Sequence, residues 1–427
     1  MQLTILASPT FTVSNGFAFA LLNTVTCGVT TWGEGPAGGD SSVVQQLLLK
    51  DVSEVVASRY AYAAVKQDNT TVVWGQPSLS AAHNNSELSN LTSLVATETS
   101  FAGVTRSGTV KSIGKTTAPE GLASVRLIVA SAGAFAALHD DNTVTAWGNS
   151  HYGGVIPAEV QTQLVTVRKI VAGRDSFAAL LASGKVITWG AHAVSSSANP
   201  TALAEQLSAG VVHVIASNLA FAAFKRDSSL VTWGHGPYGG NSTAVSRLLS
   251  ANVTAVTHNS KSMVALKNDG SIVCWGDKVD GGDCSTVQQE QVNITTVIGN
   301  SKAYAALTSS GSVVCWGKAL YGGEIPSVLA PSLSANVVSL HATDRAFAAL
   351  KSNGQVIVWG QAGHGGAVAA IEGLLQSDIH TVCSNSVAFL AIKTDGTVVA
   401  WGHPIAIANS GVQFVSSFVA PSMVLCI

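Results

Sequence analysis

Along nearly the whole chain, short stretches alternate singly between two kinds of position, and these stretches return at a fixed interval. In residues 134–138, Ala134, Ala136 and Leu138 fall on one side of an extended backbone and Phe135 and Ala137 on the other. That period of two marks a β-strand. A tight-turn pair follows in most units: Ser107-Gly108, Ser183-Gly184, Asp269-Gly270, Ser310-Gly311, Asn353-Gly354 and Asp395-Gly396. Such pairs predict two-residue hairpins with positive backbone angles. A second strand then runs into Trp-Gly, as in residues 186–190, and a third apolar stretch such as 127–130 lies upstream. Each unit therefore predicts at least three short antiparallel strands. No helix of ten or more residues is signalled; residues 42–50 fit a helical turn or a fourth strand.

The interval is set by tryptophan. All nine, Trp32, Trp74, Trp147, Trp189, Trp233, Trp275, Trp316, Trp359 and Trp401, are followed by glycine, and neighbours lie 41 to 44 residues apart except where Ile113-Gly114 replaces a Trp-Gly. An aromatic residue stands twelve before most of them (Tyr62, Phe135, Phe177, Phe221, Tyr304, Phe347, Phe389) and, as Phe101, before Ile113; Met263 replaces it once, and Phe19 is thirteen before Trp32. Glycine doublets occur six and seven past the Trp at Gly38, Gly153, Gly239, Gly281, Gly322 and Gly365 with their successors. The copies at Trp74, Ile113, Trp189 and Trp401 lack the doublet. A constant offset implies a backbone demand, a bend or a close approach that a side chain would block. No Lys-Ser/Thr or helix start follows, as a phosphate cradle would require.

A repeat of this length is one supersecondary unit that relies on its neighbours to bury its faces. Small sheets arranged radially meet that need, and alanines beside large aromatics suit a tapering wedge. The expected fold class is all-β: a β-propeller of about ten tandem repeats. The Trp residues are read as core staples, each contributing about 4–6 kcal/mol at most by area burial.

The repeated frame A-F-A-A-L-x-x-x-G-x-V-x-x-W-G, with a Gly-bearing loop behind it, resembles the regulator-of-chromosome-condensation repeat over essentially the whole chain. The copy length is similar to the short-repeat branch that includes a bacterial β-lactamase-inhibitor propeller. The resemblance implies blades of three or four strands, usually seven to a ring. WD repeats want Trp-Asp, and kelch repeats place their Gly-Gly well before the Trp. The family's W-G-x-N-x-x-G-Q loop is absent here, and no residue of its nucleotide-exchange face has a match. The resemblance therefore carries the fold and no catalytic residue.

Ten copies exceed a seven-bladed ring. The spacing is shortest, 34 residues, between Ile113 and Trp147. A cut there separates three degenerate copies in 1–118 from seven in 119–427; one continuous propeller over 1–427 is the alternative. Residues 414–427 read as the first two strands of an eleventh copy, either closing a shared blade or ending a longer array.

Composition narrows function more than it defines it. Apolar residues make up 47% and charged residues 11% of 427, with a net charge of −2. That leaves no electrostatic case for nucleic acid or an anionic membrane. No signal segment and no apolar run of membrane-spanning length are evident. The cysteines Cys27, Cys274, Cys284, Cys315, Cys383 and Cys426 show no C-x-x-C or metal-ligand spacing. Cys274 and Cys315, each directly before a Trp, are expected as small buried hydrophobes, which favours a reducing, cytoplasmic setting. Six Asn-x-Ser/Thr sites (Asn69, Asn84, Asn90, Asn241, Asn252, Asn293) are as many as an Asn/Ser/Thr-rich chain carries by chance.

An enzyme is not expected, nor any cofactor or metal. His151, His235, His364 and His403 lie in post-Trp loops but at three different offsets, and Asp40, Asp283 and Glu324 follow doublets singly. No G-x-S-x-G or H-E-x-x-H motif is present. Rigid loop faces suit binding instead. Tyr152, Tyr238 and Tyr321 each stand five past the Trp, before the doublet. Together with His151, His235 and His364 they are the candidate binding residues, the alternative being that each Tyr packs over its own loop. The expected function is a non-catalytic scaffold whose loop face binds a protein partner, as a regulator or inhibitor. An exchange-type regulator of a small GTPase and a carbohydrate-binding propeller are the alternatives. Oligomeric state stays open.

Overall fold

The computed structural model describes residues 10–23, 26–80, 88–192, 200–289, 293–369, 371–403 and 424–426. Among these, ten sheets follow one another along the chain, nine of three antiparallel strands and the first of four. This is the all-β, tandem-blade architecture that the periodicity predicts; blades are numbered 1 to 10 from Trp32 to Trp401, with Ile113 in blade 3. Blade 4 shows the plan: Val125–Ala130, Ala134–His139 and Val144–Gly148 pair in sequence order.

Register explains the twelve-residue spacing. Phe135 lies directly opposite Trp147, and the equivalent pair faces across every blade, including Phe101 with Ile113 and Met263 with Trp275. Where both rings are present they stack, with centroids 5.3 Å apart for Phe177 and Trp189. The hairpin between them differs from the two-residue turn expected. His139 N–H reaches Thr143 O (3.0 Å), so three residues close the loop, and only the third, Asn142, is left-handed (φ 67°). Gly184 (φ 82°) holds the same place in blade 5. The middle residue sets the turn: Asp141 Oδ1 accepts from Thr143 N (2.9 Å) and Oγ1 (2.6 Å). Those donors hold the Asp141 carboxyl below its usual range.

The same backbone demand accounts for several Asn-x-Ser/Thr sites. Asn69, Asn90 and Asn252 have φ near 60°, which Asn tolerates better than other non-glycine residues. Asn241 instead accepts from Thr243 N at 3.0 Å. Asn84 lies outside the described residues. Of residues 42–50, 42–48 form helical turns, Ser42–Val44 and Gln45–Leu48.

The two faces of a blade are unlike, and this drives stacking. Ala134, Ala136 and Leu138 of blade 4 pack against Phe177, Ala179 and Trp189 of blade 5. Phe135, Ala137 and Trp147 of blade 4 pack against Ala102 and Val104 of blade 3. A small-residue face thus receives the aromatic face of the next blade, as the alternation in 134–138 predicts.

The chain groups into two compact units, Asn90–Ile325 with blades 3 to 8, and Met1–Ser89 with Pro326–Ile427, holding blades 1, 2, 9 and 10. In the second of these, Phe19 and Trp32 of blade 1 pack on Cys383, Val387, Ala388 and Leu390 of blade 10. Val424–Cys426 adds a parallel fourth strand to blade 1, with Leu425 opposite Phe11. Of the segment 414–427, read above as two strands, residues 424–426 are described and form this one. Among the described residues no helix is long and apolar enough to cross a membrane.

One sequence reading is corrected outright. Cys274 is not a lone buried hydrophobe; it forms a disulfide with Cys284, and Cys383 is disulfide-bonded as well. Cys27 and Cys315 remain thiols. Disulfides belong to oxidising surroundings, so the cysteines no longer argue for a reducing compartment. The bridge occupies a place that other blades fill with a hydrogen bond: Thr31 Oγ1 to Ser41 Oγ, and Thr232 Oγ1 to Ser242 Oγ, each 2.8 Å. In all three the residue before the Trp meets the residue nine after it. Offset ten was legible in the chain, but cysteine pairing at that distance has no spacing rule to reveal it.

Candidate functional site

The glycine doublets build the rim of each blade that carries one. Gly153 is left-handed (φ 86°), and a Cβ there would sit 2.7 Å from Phe177 of the next blade. On Gly154 it would meet Gly148 backbone at 2.3 Å. The close approach lets the Gly153 carbonyl accept from Trp189 Nε1 (3.0 Å). Trp74, Trp275, Trp316 and Trp401 bond in the same way to Gly38, Gly239, Gly281 and Gly365. Blade 3 has no doublet, and Trp147 Nε1 in blade 4 is buried without a hydrogen-bond partner.

A second set of bonds fixes the rim. In all ten blades the N–H two past the Trp (or Ile113) donates to the carbonyl at the tip of the turn before the second strand, as Asn149 does to Gly133 (3.1 Å) and Lys318 to Lys302 (3.0 Å). A polar side chain in that turn also holds the carbonyl five past the Trp: Ser131 to Tyr152 O (2.8 Å), Asn300 to Tyr321 O (2.6 Å), Thr343 to His364 O (2.9 Å). The backbone frame is therefore repeated while its side chains are not. From blade 1 to blade 10 the tip residue reads Phe, Tyr, Thr, Gly, Asp, Leu, Lys, Lys, Arg and Val. Such variation at a fixed point contrasts with the near-uniform core.

The predicted residues all lie in these post-Trp loops, five in the unit Asn90–Ile325 and His364 in the other. Tyr152 is half-buried, and its ring covers Gly133 so closely that a Cβ there would be 2.6 Å from Cδ2. His151 stands edge-on to it at 5.3 Å and is exposed. His235 and Tyr238 do come together, with ring centroids 4.7 Å apart. Tyr321 lies under two ammonium groups, Lys302 and Lys318, each 5.6 Å from its centroid. His364 belongs to the other compact unit; burial, with Arg345 and His403 nearby, pushes its pKa down. Asp40 and Asp283 are cap residues, accepting from Ser42 N (2.9 Å) and Ser285 N (3.0 Å). Those amides lower both carboxyl pKa values. Among the described residues no group of three or more His, Cys, Asp or Glu is placed to hold a metal.

Sequence reasoning missed the residues between the tyrosines. Asp280 is 4% exposed and takes the place that Tyr holds in blades 6 and 8. Its carboxylate lies 3.8 Å from Lys261 and 3.9 Å from Lys302. Lys261 in turn sits 6.0 Å from the Tyr238 ring. On the far side of His235, His192 is 5.1 Å away and its Nδ1 bonds to buried Asp175 at 2.5 Å. A continuous line of polar and aromatic side chains therefore crosses blades 5 to 8. The signal was present in the changing tip residue, but only the backbone bond shows that tip and loop adjoin.

No protein-family model and no curated protein match the chain. Several solved structures are similar to part of the chain. The CRINKLY WD40 ectodomain of the Arabidopsis thaliana receptor kinase ACR4 is 16% identical, with a TM-score of 0.35, covering 62% of this chain and 95% of that one. Prp20p of Saccharomyces cerevisiae is 14% identical, with a TM-score of 0.36 and coverage of 68% and 91%. Human WBSCR16 is 15% identical, with a TM-score of 0.32 and coverage of 80% and 87%. At these values the propeller-blade assignment rests on the strand pairing itself.

Proposed function

We propose that this chain is a non-catalytic interaction propeller whose post-Trp rim binds a protein partner. The observation that carries the reading is the repeated backbone frame presenting a different side chain on nearly every blade. A rim that served folding alone would have no need to vary at one fixed point of the frame, where eight of the ten tip residues are half-buried and Asp175 and Val387 are buried. Rigid loops lower the ordering cost of association, and Tyr, Arg and Lys on them supply anchors and steering charge.

The test is capture of partners from the source organism's lysate by three forms of the chain. One is unaltered, one carries Lys261→Glu, Lys302→Glu and Tyr321→Ala, and one carries Asp141→Ala and Asp227→Ala in the hairpin turns. The reading expects a stoichiometric partner kept by the turn variant and lost by the rim variant. A partner lost only with the turn variant, or none in any form, would overturn it.

A further inference from the structure

Blades 7 and 8 concentrate features that the rim shows singly elsewhere. A cavity of about 500 Å³ opens there, lined among others by Lys278, Val279, Lys318, Ala319, Cys315 and Trp316. Beside it, Val279 and Leu320 are 67% and 61% exposed, although both are large and apolar. The wall is braced covalently, because the Cys274–Cys284 disulfide joins the end of the post-Trp loop to the strand that precedes it.

The charges at this place are not equivalent. Asp277 accepts from Val279 N (2.9 Å) and Asp280 N (3.1 Å), so it caps its own loop. Asp283, which also lines the cavity, is taken up by Ser285 N. Asp280 is buried between Lys261 and Lys302. The three carboxylates therefore face backbone donors or the half-buried Lys261 and Lys302, and Asp283 is the one carboxylate among the lining residues, beside Lys278 and Lys318. Outward, Lys278 is exposed, and Lys318 and Lys302 share the single ring of Tyr321. Two like charges held on one ring favour an anion between or above them.

We infer that this cavity and the rim beside it dock an acidic segment of the protein partner, with a carboxylate on Lys318 of the lining and the adjoining Lys302–Tyr321 pair, and an adjacent aliphatic side chain against Val279 and Ala319 of the lining and Leu320 next to them. The inference rests on the protein-binding reading above. Charge and apolar area are both required: the lysines alone would give a weak, salt-screened contact, and the aliphatic patch alone would have no polarity to select.

Cys315 offers a direct readout, since it lines the cavity as a thiol while Cys27 is a thiol in blade 1. Iodoacetamide alkylation of both would be followed by peptide mass spectrometry on the full chain. The probes are capped synthetic peptides of alternating Glu-Leu, Gln-Leu and Lys-Leu. The expected result is at least tenfold slower labelling of Cys315 with the Glu-Leu peptide, and unchanged labelling of Cys27. Protection should fall at least fivefold with Lys318→Glu or at high salt, and the Lys-Leu peptide should give none. Equal protection by all three peptides, or none by Glu-Leu at millimolar concentration, would overturn the inference. If Glu-Leu fails while the rim variant still loses its captured partner, this cavity is wrong and the rim remains the binding face. If capture is indifferent to the rim, the broader reading falls with it.

Discussion

Replacing Gly153 by alanine isolates the physical role of the doublet. The added Cβ would meet Cδ2 and Cε2 of Phe177 at 2.7 and 2.9 Å, at φ +86°. Phe177 is fully buried and stacked on Trp189, so it has little room to retreat. Three costs combine. A left-handed alanine costs about 1–2 kcal/mol, and overpacking a closed core about 1–3 kcal/mol. Loss of the Trp189 Nε1–Gly153 O bond adds about 0.5–1.5 kcal/mol. Gly121→Ala supplies the control: its φ is +75°, but nothing lies within 4 Å of the new Cβ. Only the conformational term then applies. Both variants lose the same unfolded-chain freedom, so that effect cancels in the comparison. Gly153→Ala should therefore be less stable than Gly121→Ala by roughly 2–4 kcal/mol, read from urea unfolding followed by Trp fluorescence at constant m. A difference below about 1 kcal/mol would refute the claim that next-blade contact makes this glycine necessary.

The remaining predictions probe the bonds between neighbouring residues and blades. Trp189→Phe should cost about 1–2 kcal/mol more than Trp147→Phe, because the first strands the buried Gly153 carbonyl and the second removes an indole N–H that has no partner. Equal urea midpoints would contradict this. Thr31→Cys with Ser41→Cys should form a disulfide under air oxidation, seen as loss of two hydrogens in intact mass, since this pair holds the place of Cys274 and Cys284. The closed loop should then add about 2–3 kcal/mol of stability; persistence of both thiols would show that the two sites are not equivalent. Burial pushes the His341 pKa down to about 4, so the folded state holds it neutral while the unfolded chain protonates it near its ordinary value. Its contribution to stability is present above pH 6.5, the ordinary value, and is lost as pH falls towards 4. His341→Phe should flatten the fall in urea midpoint between those limits, and an unchanged slope would rule out this group as the cause.

Much of the architecture was legible in the chain because it depends on properties of single residues at short range. Strand alternation assigns Phe135 and Ala134 to opposite faces, the twelve-residue spacing puts Phe135 across from Trp147, and a glycine at fixed offset reports a backbone constraint. The hairpin was misjudged by one residue because Ser-Gly and Asp-Gly fit either loop length; the register in which the two strands pair decides which.

What tertiary structure alone decided joins residues that local periodicity cannot relate. Trp189 bonds Gly153 across 36 positions, because successive blades stack the aromatic face of one under the doublet of another. Lys302 reaches Asp280 of the preceding blade, and Cys274 finds Cys284 across the base of a loop. A periodic sequence determines the shape of its unit, since each copy repeats the same short-range preferences. The chemistry of the rim appears only when packing brings the positions that differ side by side.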